Sequence, residues 1–240
     1  MVPSLRAKPQ RCPVYLVIDS SGSMQGLEST VEVGIRNIVD ELKKNRQVGE
    51  VAALSVITYS DSPHDPPAIP LTRVSQITDI PKIHADGCTM TGSALAYVTQ
   101  MAKNELVLES QNGLAADFRP LLVLMTDGYA SDQSDLMNGI NQMRSYKWGD
   151  WLILGCGEAN EQELETIGGK NHWIRIESLD PATLQTFFRL ITKTIKSSVE
   201  HSKTSHGNKA GLGVAEIVQE ANSGAALINA PTDALGELDY

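Results

Sequence analysis

The chain has 240 residues, 41% of them hydrophobic, which suits one sizeable α/β domain followed by a tail. Its formal net charge of −9 would repel a phosphate backbone, so nucleic acid is not an expected partner. The three cysteines are widely spaced without a C-x-x-C pair, and no stretch approaches the roughly 20 apolar residues of a membrane helix. We therefore expect a cytoplasmic protein with no disulfide scaffold, zinc knuckle or membrane partner.

The first predicted elements are a strand and a helix joined by a polar loop. Residues 1–12 contain no apolar run and are expected to form an N-terminal arm. The apolar run Val14–Ile18 predicts a central strand covered on both faces, and from Leu27 the helical spacing of apolar residues predicts a docked amphipathic helix. Between them lies Asp19-Ser20-Ser21-Gly22-Ser23, which brings one carboxylate and two hydroxyls, those of Ser21 and Ser23, onto one loop.

The middle of the chain continues the alternation. Val51–Tyr59 predicts a second strand, and the Pro-rich stretch 63–70 leads into a short edge or antiparallel strand at Ile69–Val74. The glycines of the loop Asp86–Gly92 mark the approach to another helix. That helix is expected to bury the apolar residues Ala94, Leu95, Val98, Met101 and Ala102.

The most apolar strand is predicted at Leu121–Met125, beside the first strand, and it ends in Thr126-Asp127-Gly128. We then expect a helix from about Ser134 to Tyr146, a strand at Trp151–Leu154, a helix from Asn160 with Glu163 as its capping-box partner, and a strand at His172–Ile176. A last helix is predicted from Asp180-Pro181, with Leu184, Phe187, Phe188, Ile191 and Ile195 on its buried face.

This order of elements predicts the fold class and the domain boundaries. Alternating strands and helices indicate an α/β fold with a doubly wound, mostly parallel central sheet, one short antiparallel edge strand and helices on both faces. The domain should span residues 13–199. Residues 200–240 lose the periodicity and are interpreted as a flexible or docking tail, in which only Val214–Ala221 could form a short helix.

Three loops that should meet at one edge of the sheet carry oxygen side chains: Asp19, Ser21, Ser23, Thr89 and Asp127. Carboxylates and hydroxyls are hard donors that suit Mg²⁺, with Mn²⁺ or Ca²⁺ as alternatives. If the hydroxyls bind directly and the carboxylates bind directly or through water, one position stays open for a carboxylate from another protein. Thr91 competes with Thr89 as the threonine ligand.

The same residues carry a family resemblance. Asp-x-Ser-Gly-Ser after the first strand, Thr89 ahead of Gly92-Ser93-Ala94-Leu95, and Leu-Met-Thr-Asp-Gly at residues 124–128 resemble the metal-ion-dependent adhesion site of von Willebrand factor A (VWA) domains, over about Cys12 to Val199. The lead-in at residues 11–24, with Val33-Gly34-Ile35, is similar to the bacterial tellurium-resistance-associated, TerY-like branch. The resemblance implies a Rossmann-like VWA fold, the five ligands named above, and metal-dependent protein binding in a stress-response system with a Ser/Thr kinase or phosphatase. The Thr loop departs from the usual Gly-Gly-Thr by reading Gly87-Cys88-Thr89.

Other readings of these residues remain open. Asp19 and the serines could cap the first helix, and Asp132 and Asp135 are interpreted as helix-start charges. No phosphate-binding Gly-rich loop, G-x-S-x-G elbow or second Asp at position 21 is present, so catalysis is not expected. The alternatives to a metal-dependent binding module are a metal-dependent phosphohydrolase-like enzyme and a scaffold that binds through its tail and holds the metal only for structure. The tail could also dock on the metal site of its own domain, where Glu237 or Asp239 could supply the carboxylate.

Overall fold

A single seven-stranded sheet organises the chain in the computed structural model, which describes residues 10–109, 116–157 and 159–176, positions 182, 185, 188–189, 191–193, 195–196 and 199, and the backbone of 228–229. Its strands are β1 (Cys12–Asp19), β2 (Ala52–Tyr59), β3 (Ile69–Arg73), β4 (Leu121–Thr126), β5 (Asp150–Cys156), β6 (Trp173–Ile176) and β7 (Ile228–Asn229). The helices are α1 (Glu28–Lys44), α2 (Arg46–Val51), α3 (Thr91–Glu105), α4 (Gln133–Ser145) and α5 (Glu161–Gly168), and the described positions from 182 to 199 are also helical.

The strand order is β3-β2-β1-β4-β5-β6-β7. The body from β2 to β6 is parallel, and β3 pairs with β2 in the antiparallel direction, which confirms the predicted mixed sheet with an antiparallel edge. At the other edge, Ile228 and Asn229 of the predicted tail pair antiparallel with β6. A two-residue strand has no detectable alternation, so the sequence pattern did not predict it.

Helices cover both faces of the sheet, as predicted. All eight residues of β1 are buried. Because side chains alternate along a strand, Val14, Leu16 and Ile18 pack toward α1 and the last helix, whereas Tyr15 and Val17 pack toward α3, α4 and α5. The last helix fits α1 closely, since a β-carbon placed on Gly34 would lie 2.1 Å from the ring of Phe188.

Several local predictions need correction or lie outside the described residues. Helix α2 was not predicted; its start is fixed by Asn45, whose side chain accepts hydrogen bonds from the backbone N–H groups of Gln47 and Val48. Met101 is only partly buried. The buried positions Phe188, Ile191 and Ile195 are confirmed. The predicted helix start at Asp180-Pro181, the side chains of Leu184 and Phe187, and the segment Val214–Ala221 lie outside the described residues.

Only one of the two hydrogen bonds of the predicted capping box of α5 forms. Asn160 does cap the helix, accepting a hydrogen bond from the backbone N–H of Glu163 at 3.1 Å. The Glu163 carboxylate does not return to Asn160, because it accepts from the backbone N–H of Ala130 and from the Gln133 side chain, both at 2.8 Å. Glu163 therefore ties α5 to the loop after β4.

No helix within the described residues is long and apolar enough to cross a membrane.

Candidate metal centre

Two adjacent parallel strands deliver the two carboxylates of the site to one edge of the sheet. The register pairs Ile18 of β1 with Met125 of β4, so Asp19 and the Thr126-Asp127 pair leave the sheet side by side. Parallel strands end at the same edge, which is where open α/β sheets form their binding sites. Asp19 is 0% exposed and Asp127 is 4% exposed. The first and third predicted loops therefore meet.

The Asp19 carboxylate is held by neutral donors. Its Oδ1 accepts from the backbone N–H of Ser21 at 2.9 Å, and its Oδ2 accepts from the Thr126 hydroxyl at 2.8 Å. Burial raises the pKa of Asp19, while the hydrogen bonds from Ser21 and Thr126 oppose that rise. A buried carboxylate with only neutral donors is one that an added cation would stabilise.

A chain of hydroxyls connects the first loop to β4. The side-chain oxygens of Ser21 and Ser23 lie 3.0 Å apart, and the Ser23 hydroxyl donates to Oδ1 of Asp127 at 2.8 Å. The predicted alternative, in which Asp19 and the serines merely cap the first helix, does not describe these contacts: α1 begins at Glu28 and its N-cap residue is Leu27. Four of the five predicted ligands thus form one connected cluster.

Thr89 lies beside the same cluster. A β-carbon placed on Gly128, the residue after Asp127, would lie 3.7 Å from the Thr89 hydroxyl oxygen. The competing residue Thr91 is the first residue of α3, and its hydroxyl lies 3.3 Å from the buried phenol of Tyr59. Burial raises the pKa of Tyr59, and the charge of Asp19 adds to that effect, so the phenol stays protonated. The geometry favours Thr89 over Thr91 as the residue facing the site.

The loop before Thr89 is fastened to its neighbours on both sides. The backbone N–H of Gly22, between the two serines, donates to the carbonyl of Gly87 at 3.0 Å. The Asp61 carboxylate accepts from the backbone N–H of Cys88 at 2.7 Å. Gly87 has φ of +72°, a backbone conformation that favours glycine, and a β-carbon there would displace the Asp61 carboxylate from its present position.

Three residues near the site carry contacts that the sequence did not predict. The sequence marks Thr126 only as part of a strand-end motif, yet its hydroxyl donates to the Asp19 carboxylate and orients it. Ser131 exchanges two hydrogen bonds with Thr89: its hydroxyl accepts from the Thr89 N–H at 3.2 Å and its N–H donates to the Thr89 carbonyl at 2.7 Å. Asp132, predicted as a helix-start charge of α4, precedes α4 but uses its carboxylate on α3, accepting from the N–H groups of Gly92 and Ser93.

The donor set fits a hard divalent cation. Among the described residues no three His, Cys, Asp or Glu side chains form a cluster that could hold a metal ion. The cluster here instead combines two carboxylates, Asp19 and Asp127, with the hydroxyls of Ser21, Ser23 and Thr89. All of these are oxygen donors, the type preferred by Mg²⁺, Mn²⁺ and Ca²⁺. A cation here would depend on hydroxyl ligands as much as on carboxylates.

Comparison with known proteins places the chain in a family. The von Willebrand factor type A domain profile matches residues 14–190. The chain belongs to this family. VWA domains are commonly metal-dependent adhesion or protein-binding modules, and the relatives of this chain are mostly non-enzymatic.

Individual relatives of this VWA domain are distant. Mouse collagen alpha-5(VI) chain is 25% identical over 171 residues, which is 70% of this chain and 6% of the collagen. Among solved structures, a von Willebrand factor type A protein from Catenulispora acidiphila has a TM-score of 0.58 and 19% identity over 78% of this chain and 43% of that one. The VWA domain thus spans a small part of the collagen relative and less than half of the Catenulispora chain.

Two further structures share the fold. The vWF domain of the pili tip protein Mfa5 from Porphyromonas gingivalis has a TM-score of 0.60 and 12% identity, covering 79% of this chain and 96% of that one. Proximal thread matrix protein 1 from the mussel byssus, described with a zinc-occupied MIDAS motif, has a TM-score of 0.55 and 16% identity over 76% of this chain and 47% of that one. At these identities the likeness concerns the fold.

Proposed function

We propose that this VWA domain is a divalent-cation-dependent protein-binding module. The cation, Mg²⁺ in the first instance, is held by Asp19, Ser21, Ser23, Thr89 and Asp127, and an Asp or Glu of a partner protein completes its coordination. The observation that carries the proposal is the 2.8 Å hydrogen bond from Ser23 to Asp127. It brings the oxygen donors of two loops, 104 residues apart in sequence, into a single cluster.

Each side chain has a separate task in this proposal. Asp19 and Asp127 supply the negative charge, and Ser21, Ser23 and Thr89 supply neutral oxygens. The Thr126 hydroxyl fixes the orientation of the Asp19 carboxylate by its bond to Oδ2. Two carboxylates balance the charge of a divalent cation. When the hydroxyls bind it directly and a carboxylate binds it through water, the cation is only partly neutralised by its direct ligands and one coordination position stays open. A third carboxylate is attracted to that position, and the partner is expected to bring it.

The exposed residues around the cluster indicate what else the partner segment should contain. Tyr129, two residues after Asp127, is 58% exposed on the β4 side. Asp61, which follows β2, and Asp86, whose backbone N–H donates to the carbonyl of Ser20 at 2.9 Å, are also exposed. The β1 loop lies between Tyr129 and Asp61 because β1 separates β2 from β4 in the sheet. The partner segment that fits has an acidic residue in its centre, an apolar residue toward Tyr129 and a Lys or Arg toward the two aspartates.

The narrower setting of the proposal is a bacterial tellurite or stress-response system in the cytoplasm, with a Ser/Thr kinase or phosphatase as partner. Its support is the resemblance of residues 11–24 to the TerY-like branch and the three unpaired cysteines, which suit a reducing compartment. Purified kinases and phosphatases encoded near this protein's gene are the partners to test first.

The decisive experiment is affinity capture from lysate with the full chain, in Mg²⁺ or in excess EDTA. The wild-type protein should retain its partner only in Mg²⁺, and Asp127→Ala should lose it in both conditions. Asp79→Ala, which removes an exposed carboxylate outside the cluster, is the matched control and should bind like the wild type. Partner binding that is unchanged by EDTA would overturn the proposal.

Two further arms of the experiment address the other functions. A chain lacking residues 200–240 should keep its partner, whereas loss of binding would indicate that the tail is the binding element. Hydrolysis of a phospho-substrate by the isolated chain, lost in Asp19→Asn, would indicate an enzyme.

A further inference from the structure

Helix α3 receives its N-terminal cap from Asp132, the residue just before helix α4. Its own N-cap residue is Met90, whose side chain makes no capping hydrogen bond. The first backbone N–H groups of a helix have no partner within it and need an acceptor. Here Asp132 supplies one: its two carboxylate oxygens accept from Gly92 and Ser93 at 3.1 and 2.8 Å. A negative charge at this end also interacts favourably with the helix dipole.

The same contact region holds Thr89 by its backbone. Ser131, next to Asp132, both donates to and accepts from the main chain of Thr89. Thr89 is two residues before α3, so its position follows from where α3 begins and from where Ser131 lies. Both are set by the segment that leads into α4.

Two glycines bring α3 and α4 into direct backbone contact. A β-carbon on Gly139 would lie 2.1 Å from the carbonyl oxygen of Gly92. A β-carbon on Gly92 would lie 2.7 Å from the backbone of Asp135 and Leu136. Because the atoms in the way belong to the backbone, a methyl group at either position would force the helices apart. We call Ser131, Asp132, Gly92 and Gly139 the α3–α4 interlock.

From these contacts we infer that Asp132 is a positioning residue, and that the α3–α4 interlock holds Thr89 in place for the cation. The inference rests on the proposed function, because it assigns a role in the same site. Helix α4 contains none of the proposed ligands. On this inference, a substitution in α4 or just before it nevertheless changes the affinity of the site for the cation.

The test measures Mn²⁺ binding by electron paramagnetic resonance, with melting temperature in EDTA as the second readout. Asp132→Ala should weaken Mn²⁺ binding by about tenfold, the scale on which residues that orient metal ligands act. Asp132→Asn keeps one acceptor oxygen and should fall between the wild type and Asp132→Ala. Gly139→Ala leaves Asp132 intact but separates the helices, and should also weaken binding.

The matched control is Asn45→Ala. Asn45 also accepts from two backbone N–H groups at a helix start, those of Gln47 and Val48, but it serves α2 and has no contact with the site. Its loss should lower the melting temperature comparably and leave Mn²⁺ affinity unchanged.

The outcomes separate the two proposals. If the wild-type protein, Asp132→Ala and Asn45→Ala all bind Mn²⁺ with the same affinity, the positioning role is overturned and the proposed function stands. Failure of the wild-type protein to bind Mn²⁺ or Mg²⁺ would overturn both.

Discussion

The two ends of the parallel sheet treat a buried aspartate in opposite ways. At the amino end, Asp117 forms a two-pronged ion pair with Arg11, at 2.8 Å from Nε and 2.6 Å from Nη2. At the carboxyl end, Asp19 accepts from a backbone N–H and the Thr126 hydroxyl, both neutral. The first carboxylate has its counter-charge within the chain. The second has only neutral donors among these contacts, so a counter-charge from outside would be favourable, as the proposed cation site requires.

The largest expected effect is a loss of cation affinity when Asp19, but not Asp117, is replaced. Asp19→Asn should weaken Mg²⁺ or Mn²⁺ binding by at least about 100-fold, since losing a ligand costs more than losing a residue that orients one. Stability in EDTA should stay level or rise, because an amide is less costly to bury than a carboxylate. Cation titration and urea unfolding measure the two quantities. A marked loss of stability in EDTA would mean that Asp19 is structural like Asp117.

Binding of the cation should stabilise the fold. This stabilisation should depend on Asp19, at the carboxyl end of the sheet, and not on Asp117 at the amino end. At a free cation concentration 100 times the Kd, the free energy of unfolding should rise by about 2.7 kcal/mol. At the same cation concentration the rise should fall to about 0.4 kcal/mol or less in Asp19→Asn and stay near about 2.7 kcal/mol in Asp117→Asn. Thermal unfolding in Mg²⁺ and in EDTA measures this difference, and equal stabilisation of both variants would contradict a cation at Asp19.

A third prediction concerns the amino end. Asp117→Asn leaves the partly buried Arg11 without its counter-charge and should lower the free energy of unfolding by about 2 kcal/mol, with cation affinity unchanged. Lys82→Ala removes a far more exposed ion pair with Glu32 and should change stability by less than about 0.5 kcal/mol. Equal effects of the two substitutions in urea unfolding would show that burial does not matter here.

The smallest effect should be a pH dependence at the amino end. Burial raises the pKa of Glu105, against a hydrogen bond from the Tyr15 phenol and the charge of Arg11, so the folded state keeps that proton to a higher pH than the unfolded chain. Its contribution to stability is therefore present below the ordinary value of 4.5 and is lost as pH rises through the folded pKa. Glu105→Gln should remove this decline. The free energy of unfolding, measured from pH 4 to 7, tests this. The same pH dependence in the wild-type protein and Glu105→Gln would contradict the prediction.

Local patterns predicted most of the fold and which oxygen side chains meet at one edge of the sheet. The apolar runs of β1 and β4 and the helical spacing of α1 are properties of neighbouring residues, so the sequence shows them directly. The oxygen residues at the ends of these strands could be brought together because parallel strands end at one edge. The strand order alone therefore groups Asp19, Ser23 and Asp127, and their hydrogen bonds are consistent with that grouping.

The contacts that hold the site could not be predicted in the same way. Asp132 and Gly92 are 40 residues apart, and an aspartate at a helix start looks the same whether it caps its own helix or another. Glu163 matched a capping box by spacing, but the Ala130 N–H competed for its carboxylate. Such choices depend on how helices pack against each other, and the sequence alone does not show that packing.

The contact between Gly34 and Phe188 fixes more than the distance between two helices. The ring of Phe188 occupies the space where a side chain at position 34 would be. One residue inserted into the last helix before Phe188 would turn that ring by about 100° and shift it by about 1.5 Å. The contact between Gly34 and Phe188 therefore sets both the rotation of the last helix about its own axis and its position along α1.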